Sequence, residues 1–191
     1  MGFLDAFLGK RKVAAPAAAD RLFALTTAYV DLETAQGVTT RGAAGIVFQQ
    51  LATADFGQLL KETEELLAGT GEETGTTVTT EDDTYGYKWV IVRDDDVDDL
   101  VVAVNTVADN LSIGGYGDRI LAAVFAFADT AGKPLYLIYN YKRGTWYPFV
   151  PAGGDQQRDN QREFQLKAQL GAGLPFEEDL ARWFPLWGIP I

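Results

Sequence analysis

The chain contains neither cysteine nor histidine. Without cysteine there is no disulfide framework and no thiolate to act as a nucleophile. Without histidine, the commonest metal ligand and the commonest general base are both missing. Ser112 is the one serine, and it falls at a predicted helix end beside glycines. Nucleophilic catalysis would therefore need a Thr or Lys activated by a carboxylate. Carboxylates are so numerous that a close pair of them has no diagnostic value. The expectation is a protein that is not an enzyme and uses no metal or cofactor. No apolar run approaches the roughly 18 residues that span a bilayer. The apolar part of residues 1–12 is too short for a secretory signal, and its basic residues follow it instead of preceding it. A cytoplasmic location is expected.

What is present is acid. The 191 residues carry a net charge of −11, with only 7 Lys and with 17 Asp against 10 Glu. Nucleic acid is excluded as a main partner, because phosphate binding draws on clustered Lys and Arg. The Asp-rich, Lys-poor bias suggests a host with high internal salt, where an acidic surface stays hydrated. The excess is uneven: residues 1–138 hold 10 basic and 21 acidic groups, whereas residues 139–191 hold 6 of each. The apolar fraction of 47% and charged fraction of 23% are those of a globular domain with a real core.

Residues 2–8 read as a short amphipathic helix with Phe3, Leu4, Phe7 and Leu8 on one face, followed by Lys10, Arg11 and Lys12. Such an arm would contact a membrane surface or dock on its own core. Ala14–Ala19 reads as a linker, so residues 1–19 form an arm and residues 20–191 a single domain. Asp20 is placed to cap a short helix over Arg21–Leu25. Tyr29–Glu33 alternates, predicting a strand with Val30 and Leu32 inward, and Ala43–Gln49 predicts a second. Ala54–Ala68 is an amphipathic helix ended by Gly69 and Gly71. Gly75–Thr80 and Tyr87–Val92 predict two more strands, the latter apolar on both faces and so central. Asp96 or a neighbour caps a helix in which Val97, Leu100, Val101, Val104, Ala108 and Leu111 form an unbroken stripe. Ile120–Ala128 and Leu135–Tyr141 form a hairpin. Trp146–Val150, interrupted by Pro148, suits an edge. Asp159 caps a helix to about Leu170, and Glu177–Phe184 is a last short helix. Residues 29–69 and 76–113 each read strand, strand, helix, a weak internal echo.

Two apparent motifs dissolve on inspection. Asp94, Asp96 and Asp98 open like a calcium loop, but Asp99 stands where Gly is needed and Asn105 where Glu is needed. Gly114, Gly115 and Gly117 follow a helix and precede a strand, the reverse of a phosphate-binding turn. The C-terminal segment is different. Ten of 23 aromatics and three of four tryptophans lie between Tyr139 and Ile191, beside several arginines. Trp, Tyr and Arg dominate interface hot spots; aromatic rings also complete cores. The Trp183–Trp187 run suits core completion. Lys142, Arg143, Trp146, Tyr147, Arg158, Asn160 and Arg182 are the candidate partner-binding residues.

These motifs also carry a resemblance. Met1-Gly2-Phe3-Leu4-Asp5, Tyr85-Gly86-Tyr87 with Trp89, and Gly115-Tyr116-Gly117-Asp118 are three of them. Tyr141 to Phe149, Arg158-Asp159-Asn160 and Arg182 to Gly188 are the others. From end to end the chain resembles the PspA-associated protein PspAB family. The resemblance implies a role in the phage-shock (envelope stress) response, beside a PspA-like coiled-coil protein and an HtpX-like membrane protease. It implies no catalytic residues. The expected fold is α+β, a mainly antiparallel or mixed sheet with helices packed on one face, resembling type III secretion chaperone and YbjN-like folds. The expected function is a non-enzymatic adaptor or regulator, peripheral at the inner face of the membrane if the arm reaches it. The alternatives are a small-ligand sensor, with an apolar cavity behind the Trp89 strand, and an enzyme using carboxylates.

Overall fold

The computed structural model describes residues 16–154 and 156–191. The predicted arm, with Phe3, Leu4, Phe7, Leu8, Lys10 and Arg11, lies outside the described residues. The elements run α1 (Pro16–Gln36), β1 (Thr39–Gln49), α2 (Ala54–Thr74), β2 (Thr77–Asp82), β3 (Tyr87–Arg93), α3 (Val97–Ile113), β4 (Ile120–Ala128), β5 (Pro134–Asn140), β6 (Thr145–Phe149) and α4 (Asn160–Leu170). The six strands form one sheet in the order β2-β3-β1-β4-β5-β6, with every neighbouring pair antiparallel. This is an α+β fold.

Register divides the side chains cleanly between two faces, because opposite residues on paired strands share a face. Ile46 stands opposite Val90 and Ala123, and Ala44 opposite Val92 and Phe125. That face receives α1, α2 and α3. Phe56 of α2 meets Phe48 edge to face at 5.7 Å, and Tyr29 of α1 lies 5.8 Å from Phe127. The predicted α3 stripe is buried along its length, from Val97 to Leu111, and Asp96 caps it by accepting from the Asp98 N–H at 2.8 Å. The Asp94–Asp98 cluster thus serves the helix start, where carboxylates favour the positive end of the dipole.

The other face carries Trp89, Val47 and Ala122 in one row, and Ile91, Gly45, Val124, Ile138 and Tyr147 in the next. No helix α1–α3 lies there. It is roofed by the extended C-terminal segment, with Trp183 stacked on Tyr147 at 6.5 Å and Trp187 edge-on to Phe149 at 5.0 Å. Gly45 has a specific reason to lack a side chain: a Cβ there would sit 2.9 Å from the Trp89 ring, which leans over it. The β6 edge, predicted from Pro148, is real, and Phe176 closes it with a parallel bridge to Trp146.

Several expectations are corrected. Tyr29–Glu33 is not a strand but the last part of α1. Leu22, Leu25, Ala28 and Leu32 recur at helical spacing and are buried, while Val30 is 57% exposed. Over five residues, alternation fits a helix nearly as well as a strand. The expected internal echo falls with that strand. Residues 16–19 belong to α1 and not to a linker, since proline is tolerated in the first helical turn. Gly69 and Gly71 do not end α2. The stop is Gly75, whose φ of 89° places it in the left-handed region and whose N–H bonds the Gly71 carbonyl at 2.7 Å. The last expected helix shrinks to a single 3-10 turn, Leu180–Arg182.

Candidate functional site

The turn between β5 and β6 presents the first predicted residues. It closes through the Gly144 N–H to the Asn140 carbonyl at 2.8 Å, and Gly144 adopts a φ of 65°. Lys142 and Arg143 are exposed at its tip. Arg143 Nε bonds Glu177 Oε2 at 2.6 Å, with Thr145 Oγ1 at 3.3 Å from the same oxygen. Arg182 joins from the other side, 3.8 Å from Glu177 Oε1 and 3.3 Å from Asp179. Burial alone would raise Glu177. The Asp179 N–H and the Arg143 guanidinium outweigh it and hold the carboxyl below the usual carboxylate range.

Trp146 and Tyr147 do not share that exposure. Trp146 is completely buried on the helix-covered face, its indole N–H bonded to the Arg21 carbonyl at 2.8 Å and its ring beside Phe125 and Tyr139. Tyr147, on the opposite face, is nearly as buried, and burial pushes its phenol well up. Among the described residues its hydroxyl has no hydrogen-bond partner.

Arg158 is a structural hub. Its Nε reaches both oxygens of Glu163 at 2.9 and 3.0 Å, and one terminal nitrogen donates to the Trp183 carbonyl at 2.7 Å. Its guanidinium lies over the Phe149 ring, 5.5 Å from the centroid. Glu163 also accepts the Val150 N–H at 2.9 Å, and burial pushes its carboxyl up despite these bonds. One buried ion pair thereby ties α4, β6 and the C-terminal segment together. Asn160 is exposed at the start of α4. So Lys142, Arg143 and Asn160 face solvent, Arg182 partly so, while Arg158, Trp146 and Tyr147 act inward.

Three apolar side chains here are exposed: Phe164 and Leu180, which draw no expectation from the sequence, and Phe184, which the core-completion reading of Trp183–Trp187 places inside. Trp183 alone of that run is buried. Phe164 is 48%, Leu180 49% and Phe184 57% exposed. Phe164 packs against Trp183 with ring centroids 5.9 Å apart. A signal was available: the buried positions of α4 are Glu163, Leu166 and Leu170, so Phe164 is an aromatic out of phase with its helix's buried stripe.

On the tail-covered face a cavity of about 530 Å³ opens behind the Trp89 strand. Its floor is Trp89, Val47, Leu121 and Ala122, the β2–β3 turn forms one wall, and Phe184 to Trp187 form the roof. Asp83 stands at the Trp89 end, where its carboxylate takes the Trp89 indole N–H at 3.0 Å and the Tyr85 and Tyr87 N–H groups. These bonds outweigh burial and keep it ionised below the usual range. Asn140 and Lys142 stand at the far end. Gln156, also at the rim, holds a φ of 51°, the one non-glycine residue with positive φ among the described residues. Among the described residues no group of carboxylates is arranged to hold a metal ion, and no helix is long and apolar enough to cross a membrane.

No curated protein and no solved structure matches the chain, so the likeness to secretion-chaperone and YbjN-like folds is not confirmed. A family model does match. The model of PspA associated protein B (PspAB) covers residues 1–191, and the chain belongs to that family.

Proposed function

We propose that this chain is a non-enzymatic adaptor or regulator of the PspA stress system, taking up its protein partner on the C-terminal edge of the domain. The family name implies association with PspA. The observation that carries the surface is that Phe164 of α4 and Leu180 and Phe184 of the C-terminal segment are each about half exposed, in the same part of the chain where Arg143 and Arg182 meet at Glu177. Exposed aromatics rimmed by arginine have the composition of interface hot spots. The edge also belongs to the charge-balanced part of an otherwise acidic chain, so it repels an acidic partner least. Lys142 and Asn160 are exposed in the same C-terminal part, and Arg158 ties α4 to the C-terminal segment through Glu163 and the Trp183 carbonyl.

The PspA-like coiled-coil protein is the proposed partner, with the HtpX-like membrane protease as the competing bait. In binding measurements with purified PspA, Phe164→Asp and Leu180→Asp should each weaken association at least tenfold, on the order of 1.4 kcal/mol or more, with melting temperatures unchanged. Wild-type affinity in both variants would place the contact elsewhere. Binding of the protease but not of PspA would reassign the partner. Cytoplasmic location, peripheral at the membrane through residues 3–11, is part of this reading. Deleting residues 2–12 and measuring liposome flotation checks it.

The second reading, a small-ligand sensor, is favoured by one observation, the cavity behind the Trp89 strand.

A further inference from the structure

We propose that the cavity on the tail-covered face is a binding site for a single-chain amphiphile with an anionic head group, its apolar chain lying across the strands and its head at Asn140 and Lys142. The proposal deepens the sensor reading by naming the ligand's chemistry; its site shares Phe184 and Lys142 with the partner surface but not Phe164 or Leu180.

Size and shape come first. A volume of about 530 Å³ falls within the range of small-molecule sites. The floor follows one row of the sheet, from Trp89 through Val47 and Ala122 to Asn140, across β3, β1, β4 and β5. Three inter-strand spacings of about 4.8 Å give it a length of roughly 14 Å. A site that long and one residue wide suits an unbranched chain better than a compact ring system. Its middle is aliphatic, with Val47, Leu121 and Ala122 below and Pro185 and Leu186 above.

Polarity is arranged end to end. Among the described residues that line the Trp89 end the one charged group is Asp83, whose oxygens are already occupied by the Trp89 indole and two backbone N–H groups. At the other end the Lys142 ammonium has no ion-pair partner and the Tyr147 hydroxyl no hydrogen bond among the described residues. The Asn140 side chain accepts from the Lys142 N–H through its oxygen, at 3.1 Å, which leaves its NH₂ group to donate. The unspent groups at that end are therefore donors and a cation, and the spent group at the opposite end is an anion. An anionic head is drawn to the first and turned away from the second. In a chain of net charge −11, a Lys at a cavity mouth with no ion-pair partner among the described residues is a specific feature. Gln156, held at its left-handed φ on the same rim, is backbone strain at the mouth of the site.

The test uses the full chain and titrates sodium decanoate, below its micellar range, following the fluorescence of Trp89 and Trp187 and checking stoichiometry by calorimetry. Decan-1-ol and decyltrimethylammonium are the neutral and cationic comparisons. The expected result is saturable one-to-one binding of decanoate, about tenfold weaker binding of the alcohol, and no saturable binding of the cation. Leu121→Trp, which fills the floor from a half-buried position, should abolish decanoate and alcohol binding alike. Lys142→Ala, at an exposed site with no fold to lose, should bring decanoate down to the alcohol. Failure of wild type to bind decanoate saturably overturns the proposal. So does wild-type decanoate affinity in Leu121→Trp, or a cation that binds as tightly as the anion. If Phe164→Asp loses PspA yet keeps decanoate, the partner edge and the cavity are separate sites. Loss of decanoate in Phe164→Asp, with the fold intact by circular dichroism, would contradict the assignment to this cavity.

Discussion

The two faces of the sheet are covered by different means. One is buried under three helices, and its largest side chains, Trp146, Phe125 and Phe48, are completely enclosed. The other is buried under α4 at one edge and an extended tail across the middle, in which Leu186, Trp187, Ile189 and Ile191 are only partly buried. A helix offers a continuous stripe of side chains and satisfies its own backbone. An extended segment spans distance cheaply but leaves space wherever its side chains do not reach the floor. The cavity lies where the second solution is used, on the face that α1–α3 leave alone.

The contrast can be broken by substitution. Trp146→Ala removes the centre of the helix-covered core together with its indole bond to the Arg21 carbonyl, and should cost about 3–5 kcal/mol in urea unfolding. Arg158→Ala strands Glu163 beneath β6 and loosens the tail together with α4, at a cost of about 3 kcal/mol. It should also expose Trp183 to acrylamide quenching. Trp187→Ala acts only on the tail-covered face, where the ring is half-buried, and should cost about 1–2 kcal/mol. A loss equal to that of Trp146→Ala would erase the distinction between the faces. Glu177→Gln is expected to have the smallest effect, about 1 kcal/mol at neutral pH. Because the native carboxyl titrates below its ordinary value, its stabilisation is present above the usual carboxylate range and is lost as pH falls through the lowered pKa. Wild type and variant should therefore converge in acid, as followed by thermal melts from pH 7 to pH 3.

Much of the helix-covered half was legible. The α3 stripe, the Asp96 and Asp159 caps and the β4–β5 hairpin each follow from spacing that only one structure satisfies. The strand expected at Tyr29–Glu33 failed because five residues cannot separate a period of 2 from one of 3.6. The phase is set by Leu22, Leu25, Ala28 and Leu32 beneath α3, contacts that a local reading does not see. On the functional side, clustered aromatics and arginines marked the right segment, but composition does not say which ring faces inward. Trp146 and Tyr147 are neighbours on a strand and point to opposite faces. The cavity joins Val47, Trp89, Leu121, Tyr147 and Trp187, residues with nothing in common in sequence until the strand order is known. Only the apolar strand of Trp89 hinted at it.

The strand order also has a consequence in time. β1 lies between β3 and β4, yet it is the first strand in the chain, and about 80 residues separate its end from the end of β4. At roughly 5–20 residues per second of synthesis, the apolar run Ala43 to Phe48 waits for several seconds on the ribosome with one side unpaired. α1 is already made when β1 emerges, and α2 follows directly after it. The nascent chain therefore relies on these two helices to shield its central strand before any complete sheet exists.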